Sequence, residues 1–289
     1  MTASSSAPSL TRPRAPFRAA AALEFSEVLR SRWLVFAFAL YTVLAAIFVF
    51  VGLRESNVMG FTGMGRVLFA FCHALVLLLP LLALTATGQT VTQAREDGSL
   101  ELLFSHPLSR ARWFLAVSLV RLAVLSLPLV LLVAALAVYG RFAFGEPVPW
   151  DFLGRSLAVS VSLLACFTGI GMLLAACARS QARAMMGILA IWAACIALMD
   201  FALAGMMLQW QLNPRTVFLI AALNPVQAAR MALLSSAEPE LSVFGPVGFY
   251  LANRIGATGL LLLGVLWPTA LGTLCWLAGL RRFRAGDLV

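Results

Sequence analysis

Three ionisable side chains interrupt long apolar runs: His73, Arg121 and Asp200. A charge held in hydrocarbon is costly, so such groups face a bundle interior, pair with one another, or line a polar path. At a rise of about 1.5 Å per residue, Asp200 and His73 lie about 12 Å and 9 Å from the same side of their runs. Their depths are similar, and the two can pair. Arg121 lies about 12 Å from the opposite side, too far to join them, and can snorkel back toward its own interface. The plainer role for all three is to fix helix packing.

Other chemistries find little support. All 21 basic residues are arginine. Without lysine there is no Walker A phosphate loop, no Schiff base and no lysine general base. Cys72, Cys166, Cys177, Cys195 and Cys275 all sit in apolar runs, and none forms a CxxC pair. They read as small core hydrophobes, with neither a zinc knuckle nor a disulfide framework indicated. Met185–Met186 and Met206–Met207 offer soft sulfur, which suits Cu(I). Adjacent helical residues point apart, however, so packing is the better reading. No acidic pair, serine triad or metal spacing stands out, and neither a cofactor nor a metal is expected.

The densest polar stretch is 88–112, GQTVTQAREDGSLELLFSHPLSRAR. Gly98 can end a helix arriving from the preceding apolar run. Asp97 or Ser99 can cap a new short one. Leu100, Leu103 and Phe104 then share a face, Pro107 ends the helix, and Ser109 can cap the next run. A capped helix outside the membrane with an apolar face suggests docking to a protein. The alternative is a solvated loop whose leucines tuck against the bilayer.

Two further segments are amphipathic or interrupted. In 20–32, AAALEFSEVLRSR, Phe25, Val28 and Leu29 share one face while Glu24, Glu27 and Arg30 take the other. That pattern predicts a helix lying flat on the membrane surface. In 216–234, TVFLIAALNPVQAARMALL, Asn224, Pro225, Gln227 and Arg230 lie together at the centre. Those groups would be unmet in lipid, so this stretch is expected to dip in from the outer face and return.

The elements that must hold these residues follow from composition. The 289-residue chain is 62% hydrophobic and 11% charged, which excludes an ordinary soluble domain. Its net charge of +9 comes from arginines in loops and at the ends of apolar runs. It therefore reads as an orientation signal, and no nucleic-acid partner is expected. Residues 1–18, rich in Ser, Pro, Ala and Arg, read as a disordered arm. Six spans are expected, at 33–53, 67–87, 113–138, 152–178, 184–208 and 257–280. With the N-terminus inside, the cytoplasm receives Arg12, Arg14, Arg18, Arg30, Arg32, Arg95, Arg110, Arg112, Arg179, Arg183, Arg281, Arg282 and Arg284. The outer side receives only Arg54, Arg66, Arg141, Arg155, Arg215, Arg230 and Arg254. The excess puts both termini in the cytoplasm. The fold class is all-α and polytopic. Ser156, Ser160 and Ser162, with Gly169 and Gly171, read as close helix contacts.

Residues 95–110 resemble the E-x-G-T-L-E-L-L-L-S-x-P-I-S-R segment of ABC-2 type permeases. Glu96, Gly98, Leu100, Glu101, Leu102, Leu103, Ser105, Pro107, Ser109 and Arg110 match; Ser99 and Leu108 replace Thr and Ile. Residues 223–230 are similar to the N-P-x-D-x-x-R element of one branch, the permease serving maturation of nitrous-oxide reductase and other multicopper enzymes. There Asn224, Pro225 and Arg230 match, and Gln227 stands where Asp is frequent. The resemblance covers nearly the whole chain and makes 19–289 one ABC-2 type transmembrane domain. It implies a bacterial inner-membrane homodimer bound to two copies of a separate ATPase subunit. Within it, 95–110 is a cytoplasmic coupling helix: Glu96, Gly98, Leu100, Glu101, Leu103, Phe104, Pro107 and Arg110 are the expected ATPase-coupling residues.

Three functions compete. The first is the permease half of an exporter, possessing no ATPase activity of its own. The second is an intramembrane enzyme, for which only His73 and Asp200 come near matched depth. The third is a non-transporting scaffold relaying ATPase motion to a periplasmic partner through 209–256. Cargo is not legible; the multicopper branch implies a sulfur species or copper sent outward.

Overall fold

Apolar runs of about twenty residues become helices because only intrasegment hydrogen bonds satisfy a backbone deprived of water. The computed structural model describes residues 21–22, 24–26, 28, 32–54, 63–105, 108–144, 148–202, 205, 214–237 and 255–286. The arm at 1–18, Pro107, Leu29, the side chain of His73 and residues 238–254 of the expected outer loop lie outside the described residues.

The described elements are helical throughout. They are α1 (Arg32–Arg54), α2 (Gly63–Thr87), α3 (Thr90–Glu96), α4 (Ser99–Phe104), α5 (Arg110–Phe144) and α6 (Trp150–Cys177). Then come α7 (Gln181–Ala193), continued by a π-helical turn at Ala194–Leu198, α8 (Pro214–Leu223), α9 (Pro225–Ala237) and α10 (Gly256–Ala285). All six expected spans have a helix over them, in α1, α2, α5, α6, α7 with its continuation, and α10. By length and composition five described helices can cross a membrane, or six if α8 and α9 make one bent span. α8 and α9 meet at 114°, so 214–237 is not a straight crossing.

Helix α6 occupies the centre, against α10, α2, α9 and α5. Its contact with α10 is backbone on backbone. A Cβ added at Gly169 would lie 2.0 Å from the Gly272 carbonyl oxygen, and one at Gly272 would lie 2.5 Å from Cys166 Cα. Only glycine allows this approach. Ser162 completes the seam, donating to the Val265 carbonyl at 2.6 Å and sharing a 2.8 Å bond with Thr269. Gly171 is as close to α2, where an added Cβ would meet Thr87 Oγ1 at 2.0 Å. The small residues of α6 thus form close helix contacts. Cys72 and Cys166 are buried in the same core, Cys195 and Cys275 are half-buried, and Cys177 is exposed.

A second cluster closes one end of the bundle. Phe114 stacks on Phe283 with ring centres 5.5 Å apart, and Trp113 tilts against Phe283 at 5.4 Å. This end gathers the start of α5, the ends of α6 and α10, and the α3–α4 segment. It also carries Arg95, Arg110, Arg112, Arg179, Arg183, Arg281, Arg282 and Arg284. We refer to it as the arginine-rich end.

Candidate functional site

The α3–α4 segment begins where α2 breaks at Gly88. Gly98 has φ +67°, the left-handed region that side chains with a Cβ disfavour. It turns the chain between α3 and α4. Neither Asp97 nor Ser99 caps α4, as had been expected of one of them: Asp97 closes α3, and the Ser99 hydroxyl donates backward to the Ala94 carbonyl at 3.1 Å. Ser109 does take the start of α5, accepting from the Arg112 N–H at 3.4 Å.

The apolar face of α4 is not free. Leu100 is buried, and Leu103 and Phe104 pack against the aromatic cluster, with Phe104 edge-on to Trp113 at 6.2 Å. The cover expected from an outside partner comes from the ends of α5, α6 and α10. The exposed side of α4 carries Glu101, Leu102 and Ser105, and Leu102 is 74% exposed.

Two polar residues that flank α4, Glu96 at the end of α3 and Arg110 at the start of α5, reach helix ends. Glu96 accepts from the Gln181 N–H at 3.0 Å, so its carboxylate caps the start of α7. Helix N-termini carry unsatisfied N–H groups and a partial positive charge, which an acid meets. Arg110 donates through Nη1 to the Arg284 and Gly286 carbonyls, at 3.1 and 2.8 Å, and so holds the end of α10. Gln89 adds a third link, accepting from Gln181 Nε2 at 3.1 Å. The segment is thereby joined to two long helices at its own end.

At the other end of α7, roughly 28 Å along the helix from Gln181 by rise per residue, lies Asp200. The pairing expected with His73 falls on a side chain outside the described residues; the described partners of Asp200 are Arg230 and Gln227. Arg230 Nη1 donates to Asp200 Oδ1 at 2.7 Å and to Oδ2 at 2.9 Å, and Gln227 Nε2 also donates to Oδ1. The hinge between α8 and α9 makes this possible. Asn224 Oδ1 accepts from the Val226 N–H at 2.9 Å, an N-cap for α9, and Pro225 follows at the first helical position, where its missing N–H costs nothing. Asn224 Nδ2 donates to the Cys195 carbonyl at 2.6 Å, inside the π-helical turn. α9 then enters the core, where Val226, Ala228, Ala229, Ala232 and Leu233 are fully buried. Gln227 and Arg230, three apart on one face, meet Asp200 together. The central polar residues of 216–234 thus bond to Asp200 and the Cys195 carbonyl around the 114° bend between α8 and α9.

Arg121 is held near its own end of the bundle: its Nε donates to Glu24 at 2.9 Å and its Nη1 to the carbonyl of Ala86, beside the end of α2. Glu24 is buried beside Arg121, with Val28 buried one turn on, while Phe25 is 45% exposed. Sequence reading missed Glu24 and Gln227. The available signals were a span arginine needing a nearby acid, and the three-residue spacing of Gln227 and Arg230 after Asn-Pro.

The family model described as ABC-2 family transporter protein matches residues 18–288. The chain belongs to the ABC-2 transporter family. It is 26% identical over 252 residues to Probable ABC transporter permease protein NosY of Pseudomonas aeruginosa, covering 86% of this chain and 91% of that one. It is 27% identical over 230 residues to the protein of the same name from Stutzerimonas stutzeri, covering 77% and 82%. This ABC-2 chain is thus a multi-pass transmembrane permease subunit of the bacterial inner membrane, and its family works with an ATPase subunit.

Proposed function

We propose that this permease exports its cargo as a homodimer, with two copies of a separate ATPase acting on α4 from the cytoplasm. The observation that carries the reading is the pair of links made on either side of α4, with Phe104 of α4 itself packed on Phe283 of α10. Glu96 holds the start of α7 and Arg110 the end of α10. A displacement of α4 is then passed to two spanning helices at once. Packed elements of this kind move as bodies between discrete arrangements, which is what alternating access needs.

In this reading Glu101 and Leu102 meet the ATPase, while Leu100, Leu103 and Phe104 anchor α4 to the membrane domain. Asp200, Arg230 and Gln227 join α7 to α9 at the far end, so the same helix that receives the stroke carries a polar cluster where cargo would leave. Likeness of 223–230 to the multicopper-maturation branch supports a cargo destined for a metalloenzyme outside the cytoplasm. Both termini lie inside.

The test is co-purification of tagged permease with the ATPase expressed beside it. Glu101→Arg and Leu102→Asp should each reduce recovered ATPase by about tenfold or more, equal to about 1.4 kcal/mol at a contact, with unchanged membrane yield. Full recovery in both variants would mean that the exposed side of α4 is not the ATPase surface.

A further inference from the structure

Beyond coupling, the arginine-rich end holds a cavity of about 450 Å³ between the end of α3 and the carboxyl ends of α6 and α10. Its polar wall is made by Arg95, Arg179 and Arg282, with Cys177 beside them and no acid in the lining. Arg95 Nε is buried and has no hydrogen-bond partner. Among the described residues none of the three arginines forms an ion pair. The nearest acid in sequence, Glu96, is committed to the Gln181 N–H.

Among the described residues the charge at the cavity does not balance. Guanidinium groups stay protonated at any ordinary pH. The ends of α6 and α10 each offer about half a negative charge, and the Gly286 carbonyl already serves Arg110. From the described residues about one negative charge faces three positive ones, leaving an excess of about +2 that a phosphate group's charge of about −1.5 to −2 would offset. Planar guanidinium forks suit phosphate oxygens, and the volume falls within the roughly 300–1,000 Å³ of small-ligand sites.

We propose that this cavity binds a phosphate-bearing anion, either an anionic phospholipid headgroup or free phosphate. It needs neither the coupling assignment of α4 nor the transport direction to hold.

Cys177 supplies the readout, being exposed in the cavity wall. Full-length permease is placed in phosphatidylcholine nanodiscs, with or without phosphatidylglycerol, and separately titrated with inorganic phosphate. Alkylation of Cys177 by N-ethylmaleimide is followed by peptide mass spectrometry. Occupancy should slow alkylation by about tenfold at ligand well above its Kd, and Arg179→Gln with Arg282→Gln should abolish the slowing. Protection by phosphatidylglycerol alone assigns the lipid source; protection by phosphate assigns the free anion. If neither slows alkylation of the wild-type chain, the proposal is overturned, whatever the variants do. It is equally overturned if protection persists undiminished in the double variant.

Discussion

Arg230 holds both oxygens of Asp200 through one nitrogen while its Nε is buried without a partner. Removing either member leaves the other charged and underpaired in an apolar setting, which is worse than removing both. Asp200→Asn and Arg230→Gln should each lower stability in detergent, and the double variant should recover a coupling of about 1–3 kcal/mol. Thermal or denaturant unfolding of the four proteins measures it; additive losses would show that the two do not interact. Asp200 was legible from sequence as an ionisable outlier, but its partner was not. Depth along two helices constrains height and says nothing about which faces turn toward each other. The partner came from a hinge, and the hinge was written in Asn224–Pro225, whose capping chemistry is local and readable. Arg121 repeats the point: its need for an acid was plain, yet choosing Glu24 required knowing that the N-terminal helix lies beside α5.

Among the elements, α4 is the one whose environment most changed its meaning. Its Gly98 turn and its leucine face were visible in the spacing, because glycine's backbone freedom and periodicity are short-range, although the side-chain cap expected of Asp97 or Ser99 does not form. What covered that face was not visible, because Trp113 and Phe283 arrive from helices far away in sequence. The consequence is a split between substitutions. Leu103→Asp should damage the membrane domain itself, lowering its melting temperature, whereas Leu102→Asp should not. Gly98 separates conformation from space: nothing lies within 4 Å of an added Cβ, but its φ is +67°. Gly98→Ala should therefore cost about 1 kcal/mol through backbone strain alone. A melting curve reads the stability loss, and an unchanged curve would mean that the turn relaxes. The hinge admits a parallel test. Asn224→Ala removes the N-cap of α9 and the bond to the π-helical turn, and should cost about 1–3 kcal/mol.

For the molecule as a whole, the long apolar runs made the all-helical, polytopic class legible, since hydrocarbon thickness leaves few alternatives. The 214–237 region needed its polar residues as well as its apolar ones to be read. Its mean composition resembles a span, and only three-dimensional satisfaction of its central polar groups distinguishes a bent, inserted pair from a surface one. Orientation is checked by a reporter fused after Val289, which should be active only in the cytoplasm; activity outside would show that 216–234 crosses the membrane. The seam of α6 and α10 gives a second global expectation. With backbone against backbone at Gly169 and Gly272, Gly272→Leu has no room to relax. It should prevent recovery of monodisperse protein, while Gly154→Leu, which has open space, should not.

The edge-on contact of Phe104 with Trp113 places an indole, a natural fluorophore, on the joint between α4 and the spans. Any event that lifts α4 by a fraction of a ring width changes the polarity around that indole, and emission wavelength follows polarity. The difference between wild-type spectra and those of Trp113→Phe isolates the signal from the chain's other tryptophans. Titrating the ATPase into the permease should then move this difference spectrum, and adding nucleotide should move it again. The permease thus comes equipped with an optical strain gauge that requires no dye.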